Sequence, residues 1–179
     1  MQIDKISKSE LAMTLKILIN SKSVDVFYFA DSFGNLNTKK VKEICQIIKK
    51  NWNKEFGFHA HDNCGLALKN SLCAISNGAK WIDSTIMGRG RGAENVRIED
   101  LLKEIKKRKE KKYNLKPILE LSKKYFKPLK DKYKWGKSKY YSLSAKKNIH
   151  PSYVQEILAD QRYKNNQIIE IINELSKVK

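Results

Sequence analysis

The sequence predicts an α/β protein built on a parallel sheet, and three observations support this fold class. Short, nearly continuous apolar segments alternate with amphipathic helical patterns over residues 1–112. Such alternation is typical of strand–helix–strand units, in which a crossover helix joins two parallel strands. Three successive strand ends carry polar or glycine-rich clusters, at the edge where parallel sheets place their chemistry. Residues 113–179 show helical and irregular patterns instead, so we expect a helical C-terminal region.

The first predicted elements are a helix over residues 7–19 and a strand over residues 24–31. The helix carries its leucines on one face, and Glu10 follows Ser7 at the spacing of a capping box. The strand, VDVFYFAD, is apolar almost throughout and ends in Asp31, as expected of a buried parallel strand.

Further strand and helix patterns follow in the same order. Asn37 or Thr38 can cap the second helix, whose apolar residues share one face. The remaining patterns are the strand Phe56–His61, the helix Gly65–Ser76, the strand Trp81–Met87 and a helix from about Ile98 to Lys107. We also predict that Met1-Gln2-Ile3 is the end, or stub, of one more strand.

Composition narrows the class of partner. Hydrophobic residues make up 41% and aromatic residues 9%, which argues against a disordered chain. No apolar run approaches the ~18 residues of a membrane span, and the chain does not open on a secretory pattern, so we expect a cytoplasmic protein without a membrane partner. The net charge of +18 is nearly all lysine spread along helix faces. Nucleic-acid readers favour arginine, so we expect a solvated basic surface and no nucleic-acid partner.

The three cysteines indicate free thiols. Cys45, Cys64 and Cys73 are odd in number, and no two have the spacing of a zinc knuckle. Cys45 and Cys73 fall within apolar helical patterns, so we expect both to be small buried residues.

His59-Ala60-His61 is the strongest candidate for a chemical site. Side chains two residues apart on a strand point to the same face, so both imidazoles can reach one ion at ~2.0–2.2 Å. A bare His-x-His is more often a satisfied or a surface pair, but small and apolar residues flank this one. Asp62 and Asn63 follow and are possible acceptors that orient the imidazoles. We therefore predict a divalent-metal site.

The neighbouring strand ends supply candidate ligand contacts. Asp31, followed by Ser32, either contacts a ligand or caps the next helix, and the sequence favours neither. In Gly88-Arg89-Gly90-Arg91-Gly92 the glycines allow close approach of the backbone, and Arg89 and Arg91 supply cations for a carboxylate. Glycine loops after strands are common, so this pattern is weak on its own.

The segment HAHDNCGLALKNSLCAISNGAKWIDSTIMGRGRGAEN resembles a signature of the metal-dependent aldolase and acyltransferase barrel superfamily. That group includes 4-hydroxy-2-oxovalerate aldolase, 3-hydroxy-3-methylglutaryl-CoA lyase and isopropylmalate synthase. FYFADSFGN and WGKSKYYSLSAKKNIHPSYVQ are most similar to the first of these branches. The resemblance implies the C-terminal half of a TIM (β/α)8 barrel, about strands 5–8, over residues 1–112, and a helical C-terminal extension over residues 113–179.

The resemblance also implies chemical roles. His59 and His61 match the two metal-binding histidines, and Asn95 matches an asparagine that binds the metal in some members. The ion, Mn²⁺ or Mg²⁺, would polarise the carbonyl of a 2-oxo acid and stabilise a pyruvate-like enolate. The expected partner is a small-molecule substrate, either a 2-oxo acid or an aldehyde. Asp31 and His150 are the expected catalytic residues, and Ser32, Arg89 and Arg91 the expected substrate contacts. For His150 the alternative is a helix-entry histidine packed near Trp135 or Tyr153.

Two departures from the family pattern define the alternatives for function. The family's aspartate ligand and enolate-stabilising arginine lie on the first strand, which has no counterpart here. Glu94 stands where the family has a glycine before the asparagine. We therefore expect a carbon–carbon lyase, aldolase or acyltransferase that needs a complementary N-terminal half, or that forms a homo-oligomer. The alternative is a truncated, inactive remnant or a partner-binding module.

Overall fold

A parallel β-sheet forms the centre of the N-terminal region. The computed structural model describes residues 3–90, 94–108, 113–160 and 162–177. Over these ranges the sheet has three strands in the order β1-β2-β3. The elements of this region are α1 (Lys8–Leu18), β1 (Val26–Asp31), α2 (Thr38–Asn51), β2 (Glu55–Ala60), α3 (Ala67–Ser76), β3 (Trp81–Ile82) and α4 (Ile98–Lys107).

The register of the sheet brings the strand ends together. β1 pairs with β2 from Val26 opposite Glu55 to Asp31 opposite Ala60. β3 continues the sheet with Phe58 opposite Ile82. The loops that leave β1, β2 and β3 therefore lie side by side at the carboxyl edge.

The core lies between this sheet and its helices. The Phe29 and Phe58 rings stack at 4.5 Å between centroids and are buried. The predicted apolar face of α2 is buried against them, namely Val41, Ile44, Cys45 and Ile48. Burial of this many apolar side chains is the main stabilising term for the region.

Local signals at the helix ends are confirmed. Ser7 caps α1 in a full capping box with Glu10. Asn37 caps α2, accepting the Lys40 backbone N–H at 2.9 Å. The strands and helices predicted up to residue 107 are present, with bounds that differ by one or two residues except at β3 and the stub.

Two predicted segments differ from the structure. The predicted strand Trp81–Met87 is wrong beyond Ile82, because the Thr85 N–H bonds the Val96 carbonyl at 2.9 Å, which turns the chain towards the start of α4. A short 3₁₀ turn, Ile86–Gly88, follows. Ile3 begins another 3₁₀ turn rather than ending a strand, and the other two residues of the predicted stub lie outside the described residues.

The C-terminal region is helical, as predicted. Its elements are α5 (Lys116–Leu121), a π-helical turn (Ser122–Phe126), α6 (Lys127–Tyr133), α7 (Lys139–Lys146), α8 (Pro151–Ala159) and α9 (Asn165–Leu175). A second buried cluster joins α7, α8 and α9, centred on Val154, Ile168 and Ile172. Throughout the described ranges, no helix has the length and apolar character needed to cross a membrane.

The C-terminal region contacts the loops at the carboxyl edge of the sheet. The Asn35 side-chain amide, in the loop after β1, donates to the Ala145 carbonyl at 2.8 Å. Lys137 pairs with Asp62, after β2, at 2.6 Å. The Trp135 indole donates to the carbonyl of Met87, after β3, at 3.2 Å. The extension therefore touches all three strand-end loops.

Candidate metal centre

The two histidines at the end of β2 are held side by side. Their ring centroids lie 4.8 Å apart. His61 Nδ1 lies 3.0 Å from the Asp31 carbonyl oxygen, and His59 Nδ1 lies 3.0 Å from Asp83 Oδ2. A carbonyl only accepts, so the His61 proton is on Nδ1 and the lone pair is on Nε2. A carboxylate beside Nδ1 favours the same tautomer of neutral His59, and this is the usual arrangement of metal-binding histidines.

Asn95 supplies a third candidate ligand atom. It forms an antiparallel bridge with His61, and its backbone N–H donates to the Gly88 carbonyl at 3.1 Å. Its side-chain Nδ2 donates to the Arg89 carbonyl at 3.3 Å. Its Oδ1 is buried and accepts no hydrogen bond from the described residues. A buried amide oxygen left this way costs about 1–3 kcal/mol, which a bound cation would offset.

These three groups fit a divalent ion. Two imidazole nitrogens and one amide oxygen are neutral donors, and imidazole favours a transition ion such as Mn²⁺ over Mg²⁺. Within the described ranges, no group of three or more His, Cys, Asp and Glu side chains could hold a metal. A metal ion bound by the two histidines would therefore need the Asn95 amide oxygen as its third ligand.

Asp31 organises the loop that follows β1. Its carboxylate is buried and accepts the backbone N–H groups of Gly34 at 2.8 Å, Asn35 at 3.2 Å and Leu36 at 3.1 Å. Burial raises the pKa of this carboxyl to about 6 against the opposing effect of these three donors. These side-chain bonds fix the loop before α2, whose cap is Asn37, so the helix-capping alternative for Asp31 is wrong. The backbone carbonyl of Asp31 orients His61. A catalytic role for the Asp31 carboxyl stays a prediction.

The predicted substrate contacts are only partly placed. Ser32 is buried beside Asp31 at the end of β1. Arg89 lines a cavity of about 610 Å³ together with Thr85 and residues of the same loop. Arg91 lies outside the described residues.

His150 caps the start of α8. Its Nδ1 lies 2.7 Å from the Ser152 hydroxyl, and its ring meets the Phe33 ring edge-on at 5.8 Å. It lines a cavity of about 650 Å³ with Tyr153 and Lys5, among others. These contacts fit the helix-entry alternative, and an acid–base role stays a prediction.

The residues that orient the histidines differ from those expected. Asp62 accepts the N–H of Ala67, the first residue of α3, at 2.8 Å, and Asn63 donates to the Phe33 carbonyl at 2.8 Å. Asp83, which contacts His59, was not among the residues predicted from the sequence. Only the register of β2 with β3 reveals it, because Phe58 lies opposite Ile82 and the residues that follow these two are His59 and Asp83.

Glu94 forms a buried ion pair at the same loop. Only 2% of the residue is exposed, and its Oε1 binds the Lys130 ammonium and lies 2.8 Å from Arg97 Nη2. Burial raises the pKa of the Glu94 carboxyl, but the hydrogen bonds from Lys130 and Arg97 outweigh it and lower the pKa overall. The departure at this position therefore introduces a paired carboxylate next to Asn95.

Parallel strands that alternate with helices, with the candidate site at the carboxyl ends of the strands, define an α/β protein. Residues 1–124 match the HMGL-like family model, and the chain belongs to that family. It is 39% identical to a 4-hydroxy-2-oxovalerate aldolase of Pelotomaculum thermopropionicum over 102 residues, which are 57% of this chain and 30% of that protein.

Solved structures show the same fold. The N-terminal domain of a protein from Bacteroides vulgatus, described as an aldolase, matches 89% of this chain and 52% of its own, with a TM-score of 0.77 and 36% identity. A Bacillus subtilis HMG-CoA lyase matches 74% of this chain and 45% of its own, with a TM-score of 0.63 and 18% identity, and shows the fold alone. The match thus spans about 30% of the length of the curated aldolase and about half of the solved aldolase domain.

Proposed function

We propose that this chain carries the histidine pair of a divalent-metal-dependent carbon–carbon lyase of the aldolase type, acting on a 2-oxo acid through a pyruvate-like enolate. The observation that carries the proposal is the fixed orientation of His59 and His61, whose Nδ1 atoms each face an oxygen at 3.0 Å. The aldolase names of the curated relatives supply the reaction class.

In this proposal each residue has a defined task. His59, His61 and the Asn95 amide oxygen hold the ion, preferably Mn²⁺. When bound, the ion supplies Lewis-acid stabilisation of the negative charge that develops on the ketone oxygen. Arg89, which lines the cavity beside the Asn95 loop, binds the substrate carboxylate. His150 is the candidate acid–base residue from the extension.

We further propose that activity requires more barrel strands than this chain contributes. In the described residues β1 and β3 each pair on one side only. Tyr28 on β1 is 38% exposed and Trp81 on β3 is 48% exposed, which is unusual for barrel strands. A complementary N-terminal half, or a second copy, would cover these edges.

Calorimetric titration of Mn²⁺ into the purified chain tests the metal centre. We expect binding at about one site, lost in a His59→Ala/His61→Ala double variant that remains folded by circular dichroism. A folded wild-type chain that binds no Mn²⁺ would overturn the metal centre. It would favour the alternative of a partner-binding module, which the exposed aromatic residues at both sheet edges support.

Exchange of pyruvate methyl protons for deuterium, followed by NMR, tests the enolate step without a need for the aldehyde partner. We expect Mn²⁺-dependent exchange from the assembled barrel and its loss in the double-histidine variant. Equal exchange in both proteins would count against the proposed chemistry.

A further inference from the structure

The helical extension contacts the loop that carries Asn95 through two polar side chains. Lys130 on α6 binds the Glu94 carboxylate and donates to the Met87 carbonyl at 3.3 Å. The Trp135 indole N–H donates to the same carbonyl at 3.2 Å. Both residues lie beyond residues 1–124, the part of the chain that matches the family model.

The extension contacts Met87 and Glu94, and these two residues flank the hydrogen bond from the Asn95 backbone N–H to the Gly88 carbonyl. Met87 adopts a positive φ of 51°, which a non-glycine residue rarely does, and it precedes the Gly88 carbonyl that accepts the Asn95 N–H. Glu94 directly precedes Asn95, and its own carbonyl accepts the Asp62 N–H at 2.6 Å. Its side chain thus faces the extension while its backbone faces the histidine strand.

Space around this anchor is tight. A Cβ at Gly136 would lie 2.9 Å from Glu94 Oε1, and a Cβ at Gly88 would lie 3.2 Å from the Asn95 carbonyl oxygen. A side chain at position 136 would therefore crowd the Glu94 carboxylate and would also be strained by the φ of 131° at this position. A buried carboxylate that keeps only Arg97 as its partner would turn towards solvent, because an incompletely paired buried charge is strongly unfavourable.

We propose that Lys130 and Trp135 are positioning residues for the metal ligand Asn95, so that the helical extension sets the metal affinity of the strand-end site. This inference rests on the proposed metal centre. Lys130 fixes the Glu94 side chain, and both residues fix Met87, which together hold the Asn95 amide oxygen towards the histidine pair.

A double-mutant cycle on Mn²⁺ affinity, measured by calorimetry, tests the inference. Lys130→Met should weaken Mn²⁺ binding about tenfold, as is usual for loss of a group that orients a ligand. The matched control is Lys127→Met, which removes the same charge from the same helix but only an exposed pair with Asp131. We expect the control to change the affinity by less than about twofold.

The decisive comparison is in an Asn95→Ala background, where Lys130→Met should have no further effect if it acts through Asn95. The same tenfold loss in that background would show a general loosening and overturn the inference, as would unchanged binding by Lys130→Met alone. If Lys130→Met does not fold, Trp135→Phe, which removes one N–H donor, takes its place in the same cycle. Failure of the wild type to bind Mn²⁺ would instead refute the proposed metal centre itself.

Discussion

Removal of Asp83 should weaken metal binding because this carboxylate orients His59. Asp83 Oδ2 lies 3.0 Å from His59 Nδ1, so it holds both the ring angle and the tautomer with the lone pair on Nε2. Loss of such a group usually costs about 10- to 100-fold in metal affinity. The Asp83 side chain is 48% exposed, so water can partly replace it in the variant. We therefore expect Asp83→Ala to lower the Mn²⁺ affinity by the low end of this range, about tenfold or 1.4 kcal/mol. Asp83→Asn keeps a hydrogen-bond acceptor but loses the negative charge, and should lower the Mn²⁺ affinity about threefold.

Calorimetric titration of Mn²⁺ at fixed pH and ionic strength measures these losses. Asp25→Asn is the matched control, because Asp25 is exposed and lies just before β1, at the opposite edge of the sheet. We expect the Mn²⁺ affinity to decrease in the order wild type, Asp83→Asn, Asp83→Ala. Wild-type affinity in Asp83→Ala, with the fold intact, would refute the assignment of Asp83 as the group that orients His59.

Three further predictions concern stability and reactivity. Gly34→Ala should destabilise the fold by about 2–4 kcal/mol in urea unfolding, because Gly34 has φ of 67° and a Cβ there would lie 2.9 Å from backbone atoms of the next loop; an unchanged midpoint would contradict this. Gly57→Ala should cost about 1 kcal/mol, because its Cβ would lie 2.4 Å from the part-exposed Tyr28 ring, and the cost should vanish in a Tyr28→Ala background. Cys45 should resist thiol reagents at pH 8 until the chain is unfolded, since burial raises its thiol pKa to about 12, and rapid labelling of Cys45 in the native protein would show that this part of the core opens.

Much of the fold followed from periodicity and capping. The capping box of Ser7 and Glu10, the cap at Asn37 and the apolar face of α2 are local signals, and local signals survive folding unless tertiary contacts override them. The strand Trp81–Met87 shows such an override. Its apolar residues suggested a long strand, but the chain leaves β2 after the bond from the Asp83 N–H to the Phe58 carbonyl, and Thr85 bonds with the segment before α4 instead.

The sequence predicted that His59 and His61 lie side by side, but it did not predict the residues that hold the candidate site in place. The spacing of His59 and His61 is a local property, so the shared face could be deduced from the strand period. Asp83 and Lys130 reach the site through strand register and helix docking, which a single sequence does not encode locally. Glu94 was visible as a departure from the family pattern, but its partner on α6 was not.

The groups that orient the two histidines differ, so His59 and His61 are not equivalent at the candidate site. His61 is oriented by the backbone carbonyl of Asp31 at the carboxyl end of β1, and no substitution at Asp31 can delete that group. Hydrogen bonds from the backbone N–H groups of Gly34 and Leu36 fix the Asp31 side chain, so the same residue organises the loop after β1 and orients His61. His59 depends on a half-exposed carboxylate that solvent can replace. His61 is therefore held by backbone contacts, including its bridge to Asn95, and the helical extension contacts this same end through the pair of Lys130 with Glu94.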